Sequence, residues 1–316
     1  MVDGTAKWIS AMDALKTQVD VVLDAIPRGS RVCYIDYPVH RNVGDLLIMR
    51  GTEAFFRANG IETIARYSVN DCPDTLNLPP GTIVAFHGGG NFGDLYPAHQ
   101  RLRERLTKVH ADRRVVVLPQ TVFYTESADT SAAVACMGAH PDLHVFARDV
   151  ESNVRIKKLL PNATVKLSPD MAHYLWPTLY RGHIESGMGT PLRIIRRDQE
   201  AVHLESDGKP SMDWDDIYSL LDKGFVRCFR AVQRRRWLSG DILARIWLAY
   251  SNHAINKAVQ QYKQYHGVET SRLHGHILAC LLGIPSVLID NSYEKNSAYF
   301  NLWTHALPGC RLLRSN

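Results

Sequence analysis

Short apolar, β-branched stretches alternate along the chain with longer segments whose apolar positions recur at helical spacing. Residues 31–36, 62–67, 82–87, 114–118, 143–146 and 164–167 read as strands, and residues 43–58 carry a helical period between the first two. Repeated strand–helix units predict an α/β fold built on a mostly parallel sheet covered on both faces. The pattern breaks between residues 176 and 191, where Pro177, Gly182, Gly187, Gly189 and Pro191 accumulate. A smaller α/β unit follows: a strand at 192–196, helices around 214–221 and 241–262, and a strand at 286–290. The expectation is therefore two domains, residues 1–180 and 181–316.

At 316 residues, 45% of them hydrophobic, the chain can bury two cores. The N-terminus has no secretory apolar core, and the longest apolar run, residues 277–289, is broken by Gly283 and Pro285, so a cytoplasmic location is expected. The six cysteines are scattered with no metal-type spacing, which predicts reduced, mostly buried thiols. A net charge of +5 is too modest to argue for nucleic acid. Five arginines (227, 230, 234, 235 and 236) nevertheless crowd one stretch ahead of Trp237. They read either as a solvated helix face or as a contact with anionic lipid head groups.

The segment Glu269-Thr-Ser-Arg-Leu-His-Gly-His276 runs straight into an apolar helical stretch, so it sets Arg272 and His274 at a helix start. Unpaired backbone N–H groups and the positive dipole end would face the same anion as those side chains. An ordinary cap, with Ser271 satisfying the backbone donors, is the competing reading. Arg196 and Arg197 end the strand that opens the second unit, and alternation would allow one of them to reach a ligand. Gly88-x-Gly90-x-x-Gly93 matches a dinucleotide-binding pattern, but no acidic residue ends the next strand to hold a ribose. Gly89 and Gly90 more simply bring backbone close to a ligand, with Asn91 and Asp94 offered to sugar hydroxyls; a packing turn is the alternative. Asn42 and Asp45 open the first helix, where Asp45 serves as cap or substrate contact. Most histidines, His99 and His173 among them, read as surface or satisfied side chains. No Walker A sequence, His-Glu-x-x-His or Gly-x-Ser-x-Gly is present.

Thr270-Ser-Arg-Leu-His-Gly275 followed by Gly283-Ile-Pro285 resembles the signature of the polysaccharide pyruvyltransferase family. Asn42-x-Gly44-Asp45, Gly88-Gly-Gly90-Asn-Phe-Gly-Asp94, Leu118-Pro-Gln120, Ala147-Arg148-Asp149 and Ser168-Pro-Asp170 follow the same family in order. The resemblance implies two Rossmann-like domains facing a cleft, GT-B-like. It implies a ketal pyruvyltransferase that takes phosphoenolpyruvate as donor and a saccharide as acceptor, the acceptor lipid-linked. Peripheral contact with the inner face of the cell membrane would suit such an acceptor. By the same resemblance His274 is the acid, while Arg272, Leu273 and one of Arg196 and Arg197 hold the donor. Asp94 would serve as base or sugar anchor, and Asn291 and Ser292 would line the site in a turn where Glu294 replaces the family's frequent glycine. Neither a metal nor a redox cofactor is implied. A GT-B glycosyltransferase using a nucleotide sugar and a non-catalytic sugar-binding module are the rival readings.

Overall fold

The computed structural model describes residues 2–125, 127, 129–180, 182, 189–198, 210–238, 240–290 and 295–314. Among these, a first sheet is built from β1 (Arg31–Ile35), β2 (Glu62–Tyr67), β3 (Ile83–Phe86), β4 (Gly89–Gly93), β5 (Val115–Phe123), β6 (Leu143–Ala147) and β7 (Thr164–Leu167). Its order is β2-β1-β3-β5-β6-β7, with β4 alongside β5. Every pairing is parallel. A second parallel sheet, in the order β11-β10-β9-β8, consists of β8 (Leu192–Ile194), β9 (Val268–Thr270), β10 (Ser286–Ile289) and β11 (Arg311–Leu313). The α/β expectation with mostly parallel sheets therefore holds.

The helices are α1 (Val2–Val19), α2 (Val43–Ala58), α3 (Pro97–Val109), α4 (Ser131–Met137), α5 (Val150–Leu159), α6 (Leu220–Arg235), α7 (Gly240–Tyr262), α8 (Leu273–Leu282) and α9 (Lys295–Tyr299). One apolar cluster, containing Trp8, Leu47, Trp247 and Leu278, joins α1, α2, α7 and α8. A second, with Val84, Val117 and Ile156, fills the other face of the first sheet. Trp8 also donates its Nε1–H to the Cys280 carbonyl at 3.2 Å, tying the N-terminal helix to α8.

Several local expectations change. The scattered apolar residues of the N-terminus form α1, with Trp8, Met12, Leu15 and Val19 buried at helical spacing. β5 continues past residue 118 to Phe123; its register shifts between Val117 and Gln120, which accommodates Pro119 without a ladder donor. β8 ends at Ile194, so Arg196 and Arg197 lie beyond it and strand alternation does not govern them. The arginine run occupies the C-terminal part of α6, where Gln233 and Phe229 are buried and Arg227, Arg234 and Arg235 are exposed. Arg230 departs from that face and donates to the Val39 carbonyl at 2.6 Å. Three of the six cysteines, Cys33, Cys280 and Cys310, are buried, fewer than expected. Among the described residues no helix is long and apolar enough to cross a membrane.

Candidate active site

A cavity of about 320 Å³ opens where both sheets present the carboxyl ends of their strands. Asp36 follows β1, His87 follows β3, Arg148 follows β6, Arg196 follows β8 and Arg272 follows β9, and all five line it. Crevices at strand carboxyl ends are where parallel α/β sheets bind ligands, because the connecting loops converge there.

One wall of the cavity is the start of α8. Arg272 is its N-cap and makes no side-chain capping bond. Ser271 does not cap the helix either: its Oγ accepts from Arg196 N at 2.9 Å and so fixes the loop after β8. Leu273 and His274, in the first turn, line the cavity. His274 Nε2 lies 3.1 Å from Asp170 Oδ2. Asp170 is fully buried and receives Arg148 Nη1 on the same oxygen, while its Oδ1 accepts from Ala172 N at 2.9 Å. Burial alone would raise the Asp170 carboxyl, but His274 and Arg148 outweigh it and hold the group well below the usual carboxylate range. His274 therefore faces a fixed negative charge, which orients the ring. Asp170 engages Nε2, and Nδ1 lies on the side of the ring that faces Gly44.

Gly44 completes this wall. A Cβ placed on it would lie 2.7 Å from His274 Cβ and 2.9 Å from Nδ1, so the first turn of α2 approaches the imidazole more closely than any side chain allows. Gly44→Ala is expected to leave helix α2 intact, since alanine is the better helix former, yet to displace the ring. We expect turnover to fall at least tenfold and stability to drop by about 1 to 3 kcal/mol, the usual cost of overpacking; an alanine variant of wild-type activity would show that the contact does not position His274.

Arg272 is gripped by carboxylates. Its Nε and Nη2 each donate to Asp213 at 2.6 Å, and its Nη1 lies 3.1 Å from Asp198 Oδ2. Burial would lower its pKa, but Asp213 and Asp198 raise it, so the guanidinium stays charged. Asp198 Oδ1 lies 2.7 Å from Arg196 Nε. One carboxylate thus spans Arg196 and Arg272, the geometry an anionic substrate would need. Arg197 turns away, with Nη1 on Asp216 at 2.8 Å and Nη2 on the Ser211 carbonyl at 2.6 Å, and is not among the cavity-lining residues.

Other expected residues are placed differently. Asp94 does not line the cavity; its Oδ2 accepts from Thr125 N at 2.9 Å and Thr125 Oγ1 at 2.6 Å, closing the turn after β5. Asn42, not Asp45, caps α2: its Oδ1 accepts from Gly44 N at 2.9 Å, and its Nδ2 donates to Asp45 at 2.8 Å. Both line the cavity, as does Gly90, whereas Gly89 is not among the lining residues. Asn91 reaches the cavity, but its amide is bound within the protein, donating to Asp36 and accepting from Arg103 and Gln120. Gly93 follows the packing alternative, since a Cβ there would sit 1.6 Å from the Phe123 carbonyl oxygen. Asn291 and Ser292 lie outside the described residues.

Sequence reasoning passed over Asp36, His40, His87, Tyr96 and His99, all of which line the cavity. Burial lowers the His87 imidazole to about 4, so it is neutral near pH 7. Behind α8, His276, Cys280 and Cys310 come within ligating distance of one another, but none lines the cavity. Both His276 ring nitrogens already meet hydroxyls, Ser286 Oγ at 2.7 Å and Thr304 Oγ1 at 2.8 Å.

The chain is similar to EpsO of Bacillus subtilis, named provisionally as a pyruvyl transferase: 36% identical, over 96% of this chain and 95% of that protein. It is 28% identical to pyruvyl transferase 1 of Schizosaccharomyces pombe, over 89% of this chain and 71% of the relative. A solved structure of a functionally uncharacterised Klebsiella pneumoniae protein shares the fold, with a TM-score of 0.59 at 23% identity over 95% of this chain and 99% of the other. The pattern of the polysaccharide pyruvyl transferase family matches residues 42–293, from the Asn42 cap past the end of β10. The chain is a transferase and belongs to the polysaccharide pyruvyl transferase family.

Proposed function

We propose that this cavity transfers the pyruvyl group of phosphoenolpyruvate onto two hydroxyls of one sugar in a polysaccharide precursor, forming a cyclic ketal. The observation that carries the reading is the juxtaposition at α8: an imidazole backed by buried Asp170 beside two arginines that one carboxylate can bridge. Phosphoenolpyruvate supplies both halves of the match, an anionic phosphate and carboxylate for Arg196 and Arg272, and a methylene carbon for protonation by His274. Donor binding would displace Asp198 from the arginines while Asp213 keeps Arg272 oriented. Protonation makes the central carbon electrophilic; one hydroxyl adds, phosphate leaves, and the neighbouring hydroxyl closes the ring. In this reading residues 1–180 and 181–316 are two Rossmann-like domains, GT-B-like, with the acceptor on the first and the donor on the second.

Incubation with phosphoenolpyruvate and a disaccharide acceptor, followed for phosphate release, tests the proposal. Release that depends on both substrates is expected; activity only with a nucleotide sugar would point instead to a glycosyltransferase. Arg196 and Arg272 supply the positive charge that magnesium supplies in many phosphate enzymes. Turnover is therefore expected to survive chelator, and loss restored only by a divalent ion would overturn that expectation.

The proposed setting is cytoplasmic, with the acceptor presented on lipid. Arg227, Arg234 and Arg235 are exposed along α6, Trp237 is 65% exposed, and Leu220 and Leu221 are 86% exposed at the other end of the helix. Each basic residue near an anionic bilayer contributes about 1 kcal/mol, and salt screens it. Replacing Arg234, Arg235 and Arg236 with glutamine should reduce sedimentation with anionic vesicles and leave turnover of a soluble disaccharide unchanged. Wild-type protein that ignores such vesicles at low salt would make the run an ordinary solvated face.

A further inference from the structure

The acceptor wall carries a second histidine–carboxylate pair. His99, in the first turn of α3, places Nδ1 2.7 Å from Asp36 Oδ1 and 3.0 Å from Asp36 Oδ2. Asp36 is 2% exposed and holds a left-handed backbone, φ 67°, which is uncommon for a residue with a side chain. Its carboxylate is fixed from the other side by Asn91 Nδ2 at 3.0 Å, and Asn91 is held in turn by buried Arg103 at 2.7 Å. Nothing in the donor-side chemistry uses this chain of contacts. It resembles in logic the Asp170–His274 pair: a buried carboxylate fixes one ring nitrogen and leaves the other for the cavity. Tyr96, edge-on to His99 with ring centroids 6.3 Å apart, adds an apolar surface beside it.

We propose that His99 is the general base that takes the proton of the attacking sugar hydroxyl, with Asp36 as its positioning residue. The assignment rests on the pyruvyl-transfer reading and adds the group that reading lacks, since Asp94 is turned away. As the hydroxyl oxygen bonds to the central carbon of the donor, its proton passes to His99 Nε2, while His274 delivers a proton to the methylene carbon. Phosphate departs with the electrons of its C–O bond, and the second hydroxyl closes the ketal. The two hydroxyl protons account for the one gained by the new methyl group and the one carried by phosphate, so both histidines return to their starting charge. His40 is the weaker alternative: its Nε2 stands 3.4 Å from Asp45 Oδ2, too far for an orienting hydrogen bond.

The charged groups that act on His99 are Asp36 and Asp45, which favour its protonation, and Arg103, which opposes it; His40 also lies within electrostatic reach. Burial would lower its pKa, but Asp36 raises it overall. The base is active when neutral, so turnover should rise with pH through that raised value.

Three proteins test this: wild type, His99→Gln, and Asp36→Asn, in which asparagine is chosen because it tolerates the left-handed backbone. For His99→Gln, kcat is expected to fall by roughly 10² to 10⁴, with phosphoenolpyruvate affinity by calorimetry unchanged and the acidic limb of the pH profile lost. For Asp36→Asn, the limb should move to lower pH, because the carboxylate that raises the His99 pKa is gone, and kcat should fall less. A His99→Gln variant within threefold of wild-type kcat, or an Asp36→Asn profile with an unmoved limb, overturns the assignment. Wild-type protein that releases no phosphate from phosphoenolpyruvate with any saccharide overturns the underlying reading and this assignment with it.

Discussion

Alanine at position 274 is expected to lower pyruvyl transfer by roughly 10² to 10⁴, the usual contribution of a positioned general acid. The ring sits at a cavity wall in the first turn of α8, where alanine continues the helix without strain. Only one hydrogen bond to Asp170 is lost, and Arg148 continues to neutralise that carboxylate. The stability change should therefore be about 1.5 to 3 kcal/mol, the usual worth of a hydrogen bond to a charged group, and a protein that stays folded at that cost cannot owe the rate loss to unfolding. Phosphoenolpyruvate should still bind, because Arg196 and Arg272 remain. Phosphate release measured beside thermal melting and donor calorimetry separates these effects. A variant keeping half of wild-type turnover would remove His274 from the mechanism.

How far the sequence foretold this site depends on how far apart its partners lie along the chain. Residues 272–274 were legible because a helix start, its cation and its imidazole are adjacent, so local spacing carries the information. The strands of the first sheet were legible for the same reason: β-branched runs such as 115–118 need no distant partner to be recognised. Pairs were not. Asp170 meets His274 across 104 residues, and His99 meets Asp36 across 63. Single-sequence patterns do not report such contacts, so His99 read as one more isolated histidine. Asp170 and Arg148 did stand in recognised short motifs, which was the available signal for their importance, but not for their roles. Asp94 shows the opposite error: it sits in a glycine-rich motif that does border the cavity, yet Thr125 draws its carboxylate into a turn. Local spacing sets Arg272 at the helix start but does not report that Asp213, 59 residues away, already holds its guanidinium.

The largest loss of stability should come from Asp170→Ala. Arg148 is 5% exposed at its side chain and Asp170 is 0% exposed, so the pair lies almost wholly out of water. Removing one partner leaves a buried guanidinium whose remaining contacts, Thr121 Oγ1 at 3.0 Å among them, carry no charge to balance it. Breaking a buried ion pair in this way typically costs about 3 to 5 kcal/mol. The same substitution also frees His274 and removes the acceptor for Ala172 N, so activity should fall along with stability. A double-mutant cycle with Arg148→Met separates pairing from packing. The double variant should be more stable than Asp170→Ala alone, because the unbalanced charge is then absent, whereas strict additivity would show that the pair contributes no coupling. The pH dependence has a definite sign. A carboxyl held below its unfolded value contributes stability above about pH 4 and loses it as pH falls through the folded value. The Asp170 contribution should accordingly persist unchanged through the neutral range and disappear only in strong acid. Chemical unfolding at pH 7 and pH 3 should show the gap between wild type and Asp170→Ala narrowing at the lower pH. A gap that widened there would mean that the buried carboxylate is not the charge that balances Arg148.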